Sequence, residues 1–174
     1  MAKDSDSLSP QALMIAAIPR LRRFATSITG NVHLAEDLSQ TALERALANI
    51  SRWQPGTSME SWLLRIAYNA WIDDVRSKKR RGQHVNLDAV GDLRGEDGRV
   101  VSDNRLDLEA ARAAMAELPL EFRSVLSLVA LDGMSYQEVA DTLKIPIGTV
   151  MSRLSRARKS LLEALDRAGE SRNG

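Results

Sequence analysis

Between Ile145 and Leu162 the chain holds Arg153, Arg156, Arg158 and Lys159 and no acidic residue. Cations at that density suit a polyanion. They neutralise phosphates, and an arginine fork can pair with both acceptors on a guanine edge. Thr149, Ser152 and Ser155 add hydroxyls that can reach phosphates or base edges, and Met151 stands among them. A second concentration, Arg76-Ser77-Lys78-Lys79-Arg80-Arg81, puts five cations in six positions. Close before it come Tyr68, Asn69 and Trp71, with Trp62 and Trp53 further upstream. Aromatic planes beside cations suit single-stranded nucleic acid, because bases stack while phosphates are neutralised. A basic run at a helix end also complements the helix dipole, and Trp62 is expected to begin a buried stripe with Ile66. A third group, Asp37, Gln40, Thr41 and Glu44, shares a helix face at i, i+3, i+4 and i+7. By default that face meets solvent. Its acids repel DNA, so any partner it has is a protein.

Other chemistries find little support. The chain has no cysteine, which excludes disulfides and thiolate metal sites. His33 and His84 are far apart and have no nearby ligand partner, so no metal site and no cofactor are expected. No nucleophile–histidine arrangement or glycine-rich phosphate loop is present, which argues against an enzyme. No apolar run is long enough to insert in a membrane, and the polar start MAKDSDSLSP does not read as a secretory signal. A cytoplasmic protein is expected. With 24 basic and 23 acidic residues the net charge says little; the segregation of the cations says more.

The elements that must position these groups are helical. Ala, Leu, Arg and Glu are frequent, and alternating β-branched runs are scarce. An all-α chain of two small helical domains joined by a flexible linker follows: an N-terminal helical domain over 10–82, an acidic linker over 83–106, and a C-terminal helix-turn-helix domain over 107–168. Leu21, Phe24, Ala25 and Ile28 give one helix over about 11–29. Gly30 stops it and Asn31 caps a second over about 34–49. A third runs over about 59–77, with Thr57 and Glu60 expected to form a capping box. Gly and Asp concentrate in the linker. Pro119 and Gly133 divide the rest, and residues after Ala168 are expected to fray.

The opening stretch resolves into two helices. Ser135 and Glu138 fit a capping box, Val139, Ala140 and Leu143 line one side, and Pro146 suits the start of the next helix. There Val150, Leu154, Ala157 and Leu161 form one apolar stripe at i, i+4, i+7 and i+11. A short helix, a tight turn and an amphipathic second helix describe a helix-turn-helix, whose second helix enters the major groove.

AEDLSQTALERAL, WLLRIAYNAWIDDVRSKKRR and LPLEFRSVLSLVALDGMSYQEVADTLKIPIGTVMSRLSRARKSL, in this order, resemble the extracytoplasmic-function (group IV) sigma factors of bacterial RNA polymerase. The resemblance covers nearly all of the chain outside the linker and tails. It implies binding to core RNA polymerase, through its beta prime and beta subunits, and to promoter DNA, under control of an anti-sigma factor. Asp37, Leu38 and Gln40, with Thr41 and Glu44 on the same stripe, would meet the beta prime coiled coil. The loop from Gln54 to Ser61 would capture an extruded base. Tyr68, Asn69, Trp71, Arg76, Lys78, Lys79 and Arg80 would face the −10 element. Thr149, Met151, Ser152, Arg153, Ser155, Arg156, Arg158 and Lys159 would serve the −35 element. Family members often carry Lys or Arg where this chain has Met151, and Ser155 is small at a reading position, so the base preference is this chain's own. Two other readings are open to the same residues: a conventional helix-turn-helix regulator that acts without replacing the sigma subunit, and a helical adaptor whose basic face meets acidic protein.

Overall fold

The computed structural model describes residues 9–82 and 102–173, all in helices and short connections, with no strand among them. In chain order these are α1 (Pro10–Thr29), α2 (Val32–Ala48), a 3-10 turn (Ile50–Arg52), α3 (Met59–Arg80), α4 (Ser102–Glu117), α5 (Leu120–Leu126), α6 (Tyr136–Leu143) and α7 (Ile147–Asn173). The backbone after α5 widens into a π turn over Ser127–Leu131. Of the expected linker, residues 83–101 lie outside the described residues; its last five are already the first turn and more of α4. At the other end α7 is helical past the expected fraying point.

Local chemistry sets the boundaries. Pro10 opens α1, and Ser9 Oγ accepts from the Ala12 N–H at 3.2 Å. Gly30 ends α1 at φ 68°, a left-handed conformation that favours glycine, and its N–H donates to Thr26 O at 2.9 Å. Asn31 Oδ1 then accepts from the Leu34 N–H at 3.0 Å, so α2 starts at once and folds back along α1. The cap of α3 differs from expectation. Thr57 donates its hydroxyl to Gln54 O at 2.7 Å and closes the loop, which leaves Ser58, in extended backbone, to accept from the Ser61 N–H at 3.1 Å. The buried stripe of α3 also differs: Leu63, Leu64, Ala67, Tyr68, Ala70 and Trp71 are buried, while Trp62 and Ile66 are only half covered.

Helices α1, α2 and α3 pack on one another around Leu21, Phe24, Ile28, Leu38, Ala42 and Leu64. Each Leu, Ile or Phe among them, taken fully out of water, contributes about 1.5–3 kcal/mol before entropy is charged against it. A smaller cluster of Met14, Ala17, Ala46, Trp53, Met59 and Leu63 fills the end under the 53–58 loop. Helices α4 to α7 form the second group. The two groups do not stand apart: α5 packs on α1 and α6 on α3, and Val125, Leu128, Val139 and Val150 join the same core as Phe24 and Trp71.

Polar groups fix that junction. Arg123 of α5, 1% exposed, donates to Ile28 O at 3.0 Å, to Ala116 O at 2.9 Å and to Leu118 O at 2.9 Å. These carbonyls lie at the C-terminal ends of α1 and α4, where no intrahelical donor is left for them. One cation thus satisfies both ends and complements both helix dipoles. Burial lowers its pKa, but a guanidinium starts high enough to stay charged. Further back along α1, Arg20 pairs with Glu60 of α3 and reaches Asp132 Oδ1 at 3.5 Å, with Arg23 on the same oxygen at 3.6 Å. The Asp132 side chain is 1% exposed, and burial raises its pKa against the pull of the two arginines.

Arg123→Ala leaves three carbonyls without a donor and is expected to cost roughly 3–5 kcal/mol. Arg123→Lys recovers only part of this, because one ammonium cannot match a planar fork. Urea denaturation of the two variants beside the wild type measures both effects.

Candidate nucleic-acid and polymerase interface

The helix-turn-helix is built from its caps inward. Ser135 Oγ accepts from the Glu138 N–H at 3.2 Å and Glu138 Oε2 accepts from the Ser135 N–H at 2.7 Å, the reciprocal box expected from the sequence. The backbone hydrogen bond from Ser135 holds the exposed Glu138 carboxyl below its ordinary pKa. Lys144 ends α6 in the left-handed region at φ 55°, and the Ile145 N–H returns to Ala140 O at 3.1 Å. Pro146 O accepts from the Val150 N–H at 3.1 Å, so the proline sits just before the first turn of α7, where its missing donor costs nothing. Val150, Leu154 and Ala157 are buried against α5 and α6. That fixes which residues of α7 face outward. Met151, Ser152, Ser155, Arg156, Arg158 and Lys159 are exposed, and Thr149 and Arg153 are half-buried. Among these, Ser152 Oγ bonds Thr149 O at 3.1 Å and Lys159 is 3.9 Å from Glu163, a contact too open to hold the ammonium from another anion.

Arg153 stands apart from the other α7 cations. It turns toward α3, where its charge acts on the Tyr68 phenol. Burial raises the pKa of that phenol above 10.0; Arg153 and Arg76 pull it down and Glu121 pushes it up. A residue expected to face the −35 element and one expected to face the −10 element are thus neighbours.

The other α3 candidates divide into two groups. Asn69, Arg76, Lys79 and Arg80 are exposed. Trp71 is 3% exposed, with Lys78 Nζ 5.9 Å from its ring centre and held by Asp74 at 2.7 Å. The basic run is therefore partly neutralised by its own helix. The loop before α3 is anchored by the buried Trp53 and turns through Gly56 at φ 86°, with Gln54, Pro55, Gly56, Thr57 and Ser58 outward.

On α2, Asp37, Gln40 and Glu44 are exposed, Thr41 half-buried and Leu38 buried, and Gln40 Nε2 donates to Glu44 Oε1 at 2.9 Å. Asp37, Leu38 and Thr41 line one wall of a groove of about 530 Å³, with Trp71, Lys78 and Arg80 on the other. The buried Trp71 Nε1–H has no acceptor among the described residues. The structure thus joins polymerase candidates and DNA candidates in one groove, but leaves Gln40 and Glu44 outside its lining. Sequence reasoning missed Leu34, Arg45, Asp73 and Asp74, which line it too. Asp74–Lys78 was available as an i,i+4 pair, whereas Arg45–Asp73, 3.7 Å apart, joins two helices.

A cationic helix-turn-helix and a second cationic helical face on one chain define a DNA-binding protein of two parts. The Sigma-70 region 2 family model matches residues 13–81, and the model for Sigma-70, region 4 matches residues 108–161. The chain is 38% identical over 157 residues to the ECF RNA polymerase sigma factor EcfG of Rhodopseudomonas palustris (strain TIE-1), covering 90% of this chain and 84% of that one. Against the ECF RNA polymerase sigma factor SigW of Bacillus subtilis (strain 168) it is 35% identical over 150 residues, with 78% of each chain covered. The fold matches the sigma factor RpoE from Bartonella quintana, solved in complex with the anti-sigma factor NepR. The TM-score is 0.71 at 29% identity, over 88% of this chain and 94% of that one. The chain belongs to the ECF sigma factors of RNA polymerase.

Arg153→Ala removes a positive charge beside the Tyr68 phenol, so the phenol is expected to titrate at still higher pH. Spectrophotometric titration of the two proteins reads the change. An unchanged or lowered value would mean that Arg153 does not stand beside Tyr68.

Proposed function

We propose that the chain lends promoter specificity to core RNA polymerase, with α7 on the −35 element, α3 and the loop before it on the −10 element, and the α2–α3 groove on the polymerase. The observation that carries this reading is the outward row of Ser152, Ser155, Arg156 and Lys159 on α7, opposite a stripe that only burial explains. Backbone phosphates supply affinity through the arginines and lysines, and a few edge contacts supply sequence. On α3 the exposed Asn69, Arg76 and Lys79 meet the −10 region first. Tyr68 becomes available to a base only when Arg153 and α7 move off it, so promoter engagement separates the two halves. The exposed 54–58 loop takes an extruded base, which offsets a few kcal/mol of unstacking.

The groove is suited to a helix of beta prime. Leu38 gives it an apolar floor, and Asp37 and Asp73 offer acceptors. The role is regulatory, and the polymerase supplies the catalysis. The protein works in the cytoplasm, where polymerase and chromosome are. An anti-sigma factor controls it, as the complex of the structural relative with NepR suggests. No described helix is long and apolar enough to cross a membrane.

The test mixes the chain with core polymerase and a promoter library and sequences the transcripts. Arg156→Ala is expected to weaken −35 binding by roughly 1–3 kcal/mol if it pairs with a base edge. Asp37→Arg is expected to compete poorly for core polymerase. Unchanged start sites in the presence of the chain would remove the proposal. Palindromic-site binding without polymerase would favour the conventional regulator.

A further inference from the structure

Two large apolar side chains are exposed on the first two turns of α7: Ile147 at 44% and Met151 at 54%. A helix that buries Val150, Leu154 and Ala157 has no packing use for them. Four residues apart, they stand one above the other on a single flank. Arg153, on the opposite flank, faces α3, so this side of α7 is clear of the other half. Lone exposed apolar residues need no explanation; an adjacent pair on a helix otherwise lined by hydroxyls and cations does. Arg158 follows on the same flank and Ser155 beside it adds no bulk, while Leu162, also exposed, lies beyond Arg158 and outside the pair.

Resting on the reading of α7 as the −35 helix, we propose that Ile147 and Met151 read thymine, by covering its C5-methyl group in the major groove. The methyl is the one apolar group that base edges present there. Neither side chain can donate a hydrogen bond, and the Met151 thioether is only a weak acceptor, so neither is suited to read guanine or adenine by pairing. The lack of acidic residues from Ile145 to Leu162 admits the phosphates on either side. A rise of about 1.5 Å per residue separates the two by about 6 Å along the helix. Base pairs are spaced at about 3.4 Å, so the pair spans two neighbouring steps. The −35 element is therefore expected to carry thymine, on either strand, at one or two adjacent positions that no arginine reads.

The experiment uses holoenzyme reconstituted from the full chain and core polymerase. A −35 element is selected from a randomised library, and each thymine is then replaced in turn by deoxyuridine, which lacks only the methyl. Wild-type holoenzyme is expected to lose about fourfold in promoter binding at each position read in this way. With Met151→Ala or Ile147→Ala, one of these penalties is expected to vanish, and the thymine-to-uracil ratio within each protein corrects for any change in folding. The inference is overturned if the selected element has no thymine, if every uracil is tolerated within twofold, or if the penalties persist in both variants. Failure to select any −35 element with core polymerase would instead strike the promoter-specificity reading itself.

Discussion

One guanidinium with no access to water joins the two halves of this protein. Helices end with carbonyls that lack donors, and burying such an end is costly unless something else supplies them. Here α1 and α4 end at the same place, and Arg123 reaches both. Gly30 suits the turn between α1 and α2 because its left-handed backbone, at φ 68°, disfavours any Cβ. With those ends joined, α5 lies on α1, α6 lies on α3, and the second helix-turn-helix element is held by Val150, Leu154 and Ala157 with its other face outward.

The cations are then divided by geometry rather than by composition. Arg123, Arg20 and Arg153 turn inward, to carbonyls, to carboxylates and to a phenol. Arg156, Arg158 and Lys159 turn outward, where Lys159 keeps a weak pair with Glu163. A near-neutral protein can bind a polyanion where its cations gather without acids, as they do from Ile145 to Leu162. The same division gives the α2–α3 groove mixed charge beside apolar side chains.

Packing also separates residues that neighbour one another in sequence. Tyr68 is buried beside Arg153, with α6 packed on α3, whereas Asn69, Arg76 and Lys79 on α3 and the outer face of α7 stay exposed.

Local order was legible in the residues. Asn31 and Ser135 cap where their side chains can accept, Gly30 and Gly133 stop helices because they tolerate positive φ, and the i, i+4, i+7 stripe of α7 marks its buried side. These depend on groups within four residues of one another, and the sequence alone settles them. Which of Thr57 and Ser58 caps α3 was not legible, because it turns on a loop contact to Gln54. The junction was hidden for a stronger reason. Arg123 and Ile28 are 95 residues apart, and nothing in a run of residues says whether an arginine will meet water or a distant carbonyl. Charge type and helical period belong to the sequence; the direction each charge faces was decided by packing, because burial is a property of the whole fold.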